Sequence, residues 1–166
     1  MAYATDHQPS QRKTDAMTAR TNAASVRATD DDEIYLDAPY MSIRWRAIPK
    51  ILYAEWKGFA TSAEFRSALL VGLRTIRERH IRGYVSDTRK AKVVTAEDQI
   101  WVREVWLPGA VAAGLQRMAM VPPAAGLGKS IVEEVVKDID QHGISMRNFD
   151  SVATATMWAL TGLRDP

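Results

Sequence analysis

The stretch Gly83–Val121, GYVSDTRKAKVVTAEDQIWVREVWLPGAVAAGLQRMAMV, decides how the rest of the chain is read. Gly83 to Ser86 is a short apolar run that stops at Asp87-Thr88-Arg89, as a strand does at a polar loop. A basic loop with Arg89, Lys90 and Lys92 follows. Thr95-Ala96-Glu97-Asp98 then opens a helix, with Thr95 as N-cap because its hydroxyl can accept from a free backbone N–H. Trp101, Val102, Val105 and Ala112 recur at helical spacing and are expected to share one face. Pro108 falls inside this pattern; it lacks a backbone donor and presses on the preceding turn, so it predicts a kink or break near Leu107. Gly114, free to take a positive φ, is the expected stop. Met118 to Val121 is apolar on both faces, which suits an inner strand covered from both sides.

Upstream, Ile34-Tyr35-Leu36, Tyr40 to Trp45 and Ile51 to Trp56 read as extended segments joined by short turns at Asp37-Ala38-Pro39 and Ala47-Ile48-Pro49-Lys50. Ile43 and Trp45 alternate with Arg44 and Arg46, the period of a half-buried strand. Thr61-Ser62-Ala63-Glu64 is a capping box. It opens a helix that buries Phe65, Ala68, Leu69, Leu73 and Ile76, with Arg74, Arg77, Arg79 and His80 towards its C-terminal end. Downstream, Ser130 with Glu133 predicts a further helix carrying Val132, Val135, Val136 and Ile139 inward. Ile144 to Phe149 is the last strand, and Asp150 or Ser151 caps a final helix ending at Gly162. Strands about 30 residues apart, each followed by a helix, are those of βαβ crossovers. The expectation is one α/β domain over residues 33–163 with a mixed sheet of five to six strands and four main helices.

Residues 1–32 hold few large apolar side chains and no periodicity, and are expected to form a disordered tail. The net charge of +2 is too small to argue for a nucleic-acid partner. The basic residues between Arg66 and Lys92 divide between the two ends of the sheet. They read as solvated surface, not as a nucleic-acid stripe. No apolar run approaches the roughly 20 residues of a membrane span. There is no cysteine and no secretory-type apolar leader in the first residues, so a cytoplasmic location is the default.

No constellation for catalysis stands out. Gly126-Leu127-Gly128-Lys129-Ser130 resembles the end of a phosphate-binding loop, but Pro123 occupies the place of its first glycine. Of the three histidines, His7 lies in the tail, and His80 and His142 lie at helix ends away from Asp87 and Thr95. No His/Asp/Glu cluster has metal-ligand spacing, so no metal and no cofactor is expected. Trp45, Trp56 and Trp158 read as core. Trp101 and Trp106, five apart on one helix, cannot both point straight inward, which leaves one of them for a pocket or a partner.

The motifs Glu55-Trp56-Lys57-Gly58-Phe59, Asp87-Thr88-Arg89, Asp98-Gln99-Ile100-Trp101 and Ala112-Ala113-Gly114-Leu115 carry a resemblance. In their order and spacing over about Ile34 to Leu160, the chain resembles bacterial STAS-like (SpoIIAA-like) proteins of unknown function. The resemblance implies a β/α superhelix and a non-enzymatic role in protein contact or signalling. The interaction surface would be Asp87, Thr88, Arg89, Lys92, Thr95, Trp101 and Trp106, meeting a protein partner or a second copy. It also implies a phospho-acceptor at a helix start, here Thr95 or, second, Thr88, although the family's Asp-Ser-Ser-Gly is missing. The alternative is a small apolar ligand or lipid held between helices and sheet, where the bend at Pro108 would open space.

Overall fold

Six strands make one mixed sheet: β1 (Asp32–Asp37), β2 (Met41–Arg46), β3 (Ile51–Trp56), β4 (Gly83–Asp87), β5 (Arg117–Val121) and β6 (Ser145–Asn148). The computed structural model describes residues 32–92, 94–124 and 143–163. The strands lie in sequence order; β1, β2 and β3 pair antiparallel, and β3 through β6 pair parallel. Tight turns suffice for the antiparallel half, whereas parallel neighbours need crossovers. Helix α1 (Ser62–Arg79) joins β3 to β4. A second helical body joins β4 to β5 and comprises α2 (Ala96–Trp101), a π-helical turn (Val102–Trp106) and α3 (Leu107–Ala112). Helix α4 (Val152–Leu160) follows β6. Three helical bodies are thus present among the described residues, against the four expected. The tail before Asp32, the glycine-rich loop at Gly126, the helix expected from Ser130 and His142 all lie outside those residues. β1 starts one residue before the expected boundary, where Asp32 takes two hydrogen bonds from Arg46 at 2.7 and 3.0 Å.

The capping signals act as read. Thr61 and Glu64 form a reciprocal box at the start of α1. Thr95 Oγ1 accepts from the Asp98 N–H at 3.2 Å, and Gly114 takes φ 95° past the end of α3.

Strand periodicity divides the sheet into two faces. On the first, Met41, Ile43, Leu52, Tyr84, Met118 and Met146 join Phe65, Leu69 and Ile76 of α1 and Trp106 and Leu107 of the second helical body in one core. On the second, Ile51, Val85, Ala119 and Val121 pack on Val152, Ala155 and Ala159 of α4. Gly83 permits that seat, because a Cβ there would lie 2.6 Å from the Ala159 carbonyl oxygen.

The second helical body differs from the expectation in a way that matters for the site. The helix neither breaks nor kinks apart at Leu107; it runs on through Pro108. The irregularity lies upstream, where the Leu107 N–H reaches back to the Val102 carbonyl, five residues away. This wider turn adds one residue and relieves the crowding that proline causes in a regular turn. It also shifts the inward register by one. Regular spacing from Trp101 carries through Val105 to Ala112, yet Val105 is 50 % exposed and Ala112 is exposed. Trp106, Leu107 and Ala110 are buried instead. Five residues of regular helix, at about 100° each, set two side chains about 140° apart. The π turn narrows that separation, so Trp106 is buried while Trp101 lies half-buried against Arg66, whose guanidinium is 5.6 Å from its ring centroid.

Candidate functional site

The described residues leave the first face incompletely filled. Between α1, the second helical body and the ends of β3 to β6 lies a cavity of about 540 Å³. That is inside the range of roughly 300–1,000 Å³ common for small-molecule sites. Met118, Met120 and Met146 come from neighbouring strands by the pleat alternation. Val102, Trp106 and Leu107 line it from the second helical body, and Trp56, Phe65 and Leu69 line it from β3 and α1.

The wall is fixed by specific contacts. Trp106 Nε1 donates to the Leu69 carbonyl at 2.8 Å, its ring lies 6.0 Å from that of Tyr84, and Trp56 stacks on Phe65 at 5.2 Å. Burial pushes the Tyr84 phenol well above its ordinary value despite its hydrogen bond with Ser86, so it stays neutral. Polar side chains enter mainly from Thr61 and Ser62 at the start of α1 and from Ser86, Thr88, Lys92, Thr95, Asp98 and Gln99.

Asp98 ties the mouth together. Its buried carboxylate accepts from Ser62 at 2.6 Å, Arg66 at 2.7 Å and Thr95 at 2.9 Å, joining the starts of α1 and α2. Burial works to raise this carboxyl, but the three hydrogen bonds and the Arg66 charge outweigh it and hold it below the usual carboxylate range. The charge of Asp98 is therefore spent inside the rim. Lys92, by contrast, is exposed, lines the cavity and has no hydrogen bond or ion pair among the described residues.

The second face, one residue along the same strands, is polar and closed at the C-terminal ends of β3 and β4, beyond its apolar contact with α4. Glu55 and Asp87 are register partners on β3 and β4, and both are buried. Arg89 grips Asp87 with two guanidinium hydrogen bonds at 2.9 and 2.6 Å, and Tyr53 donates to it at 3.1 Å. Arg44 and Lys90 reach Glu55 at 3.3 and 3.6 Å. Burial, then the Asp87 and Glu55 charges, push the Tyr53 phenol up and keep it a donor. Burial would raise the Asp87 carboxyl too, but Arg89 and Tyr53 hold it below its ordinary value.

The residues singled out in the sequence are thus dispersed. Asp87 and Arg89 belong to the second face; Thr88, Lys92 and Thr95 line the cavity; Trp101 flanks the Arg66 clamp. Trp106 is 1 % exposed and forms the cavity wall, so it is no part of an outer surface, and a substitution there would test the fold. Thr88 is buried and its hydroxyl donates to the Val121 carbonyl at 3.1 Å. Thr95 caps α2 beside the Asp98 carboxylate, so a phosphate on its hydroxyl would lose the cap and face a like charge. His80 sits in the left-handed C-cap of α1, as its position in the sequence suggested.

Sequence reasoning passed over the cavity methionines and the Tyr53 hydroxyl that donates to Asp87. A methionine that lines a space reads like one that fills it. The alternation of Ile43 and Trp45 with Arg44 and Arg46 did announce a strand with one buried side, and Ile43 and Trp45 are buried. Among the described residues no three His, Asp or Glu side chains come together as metal ligands would, and no helix is long and apolar enough to cross a membrane. Set beside known protein families, curated proteins and solved structures, the chain matches none.

Proposed function

We propose that this α/β domain is a non-enzymatic binding module that holds one small, predominantly apolar ligand in the cavity between its helices and the first sheet face. The cavity is the observation that carries the reading: about 540 Å³, walled by aromatic and methionine side chains, with a few polar groups at one end. A filled core leaves few voids larger than a water molecule, so a space of this size needs an occupant or a purpose. The STAS-like arrangement that the motifs resemble is part of the same proposal. Its support is the parallel run β3 to β6, with helical crossovers from β3 to β4 and from β4 to β5, led in by antiparallel β1 and β2.

Native mass spectrometry of the purified protein tests the ligand reading. One small-molecule adduct per chain is expected, removable by solvent extraction and replaceable by dodecan-1-ol. Only the bare chain, both as purified and after incubation with the alcohol, would overturn it.

A second reading, contact with a protein or a second copy, draws on Ile100 and Val105, which are 43 % and 50 % exposed on the outer side of the second helical body. It draws less on the rim, where Asp87 and Thr88 are buried and Arg89 is engaged. In the same spectra, self-association requires a dimer that Ile100→Ser removes.

A further inference from the structure

Building on the ligand reading, we infer that the occupant is a single-chain anionic amphiphile, a medium-chain carboxylic acid whose carboxylate meets Lys92 while its tail lies among the cavity methionines. Three observations lead to it. The first is size. At roughly 30 Å³ per small group, the share a water takes in the liquid, 540 Å³ holds on the order of eighteen non-hydrogen atoms. That is one acyl chain and excludes a two-chain lipid held whole.

The second is polarity. The lining from Met118, Met120, Met146, Leu107 and Trp106 offers a tail apolar surface, because the Trp106 indole N–H is already given to the Leu69 carbonyl. The third is charge. Of the ionic groups at the mouth, Asp98 and Arg66 neutralise each other at 2.7 Å, and Arg66 is further occupied by Glu97 and the Trp101 ring. Among the described residues, Lys92 is left as the uncompensated charge of the lining, and it is positive. A head group entering there meets a cation that costs little to engage, since it is already at the surface. A cationic head would meet repulsion, and an uncharged one would gain only a hydrogen bond.

Trp56 and Trp106 line the cavity, so their fluorescence reports occupancy. Titrations of the full chain with dodecanoate, dodecan-1-ol and dodecyltrimethylammonium test the inference, in wild type and Lys92→Met, at low and high salt. Dodecanoate is expected to bind several-fold, up to about tenfold, tighter than the alcohol at low salt. The gap should narrow at high salt because the cation is solvent-exposed. Lys92→Met should abolish the gap and leave the alcohol's affinity within about twofold. Equal affinity for acid and alcohol at low salt would overturn the inference and leave the cavity reading standing. So would a gap that survives Lys92→Met, or tighter binding of the cationic amphiphile. Failure of all three probes to bind would overturn both.

Discussion

On one face of the sheet, Trp56, Tyr84, Met118 and Met146 look into an open apolar space; on the other, Glu55 and Asp87 are closed over by Arg44, Tyr53, Arg89 and Lys90. Both regions use the C-terminal ends of the same strands, and alternate residues of β3 and β4 serve each. The difference teaches where unsatisfied capacity remains. Every charge of the second-face network has a partner of opposite sign, and a satisfied buried network serves chiefly to fix geometry. Among the described residues, the first face is left with space and with Lys92, and both can be satisfied from outside. Function is therefore assigned to the face that the described residues leave open.

This contrast can be broken from either side. The largest expected effect is where α4 seats on the second face. Gly83→Ala would place a Cβ 2.6 Å from backbone, so strand or helix must move, at a cost of about 3 kcal/mol. Gly109→Ala, near the first-face helices, meets only the Leu73 Cδ2 at 3.0 Å, the movable end of a side chain. Its cost should stay within about 1 kcal/mol, since alanine also favours the helix. Denaturant midpoints of the two variants check the ranking; equal losses would mean that the second face does not depend on that close seat.

An intermediate effect is expected from Asp87→Ala, which leaves Arg89 and the Tyr53 hydroxyl without their acceptor, at about 1–3 kcal/mol. The pH dependence follows from the same carboxylate. Its folded value lies below the unfolded one, so its contribution is present above the ordinary carboxylate value of about 4 and disappears as pH falls through the folded value. Asp98 on the first face shifts in the same direction and adds to the acid loss. Stability measured from pH 7 to pH 2 should fall for wild type and fall less for Asp87→Ala; parallel curves would remove the network from the account.

How much of this was legible follows from what each signal encodes. Caps and strand ends are local, so Thr61, Thr95, Gly114 and the stop at Asp87 could be placed from a few neighbouring residues. The π turn was not legible. Pro108 announced a disturbance, but whether a helix meets proline by breaking or by adding a residue depends on what its next turn packs against. Here Trp106 gains a buried seat, its N–H on the Leu69 carbonyl 37 residues away. The same one-residue shift turned Val105 outward and Trp106 inward, and so relocated the candidate surface into a wall. A cavity is a deficit summed over several elements, and no single residue announces it. Arg89 drew attention as a surface cation because its bidentate hold on Asp87, only two residues away, depends on rotamers that a sequence does not show.

The smallest effect on stability, and the most direct test of the central claim, comes from filling the cavity. Val102→Phe adds apolar volume to a wall beside open space and should change stability by less than about 1 kcal/mol. Isothermal titration with dodecan-1-ol then compares wild type with this variant at several temperatures. The account predicts saturable 1:1 binding with a negative heat-capacity change for wild type, and at least a tenfold loss for Val102→Phe. Absence of saturable binding to wild type, or undiminished binding to the filled variant, would contradict it.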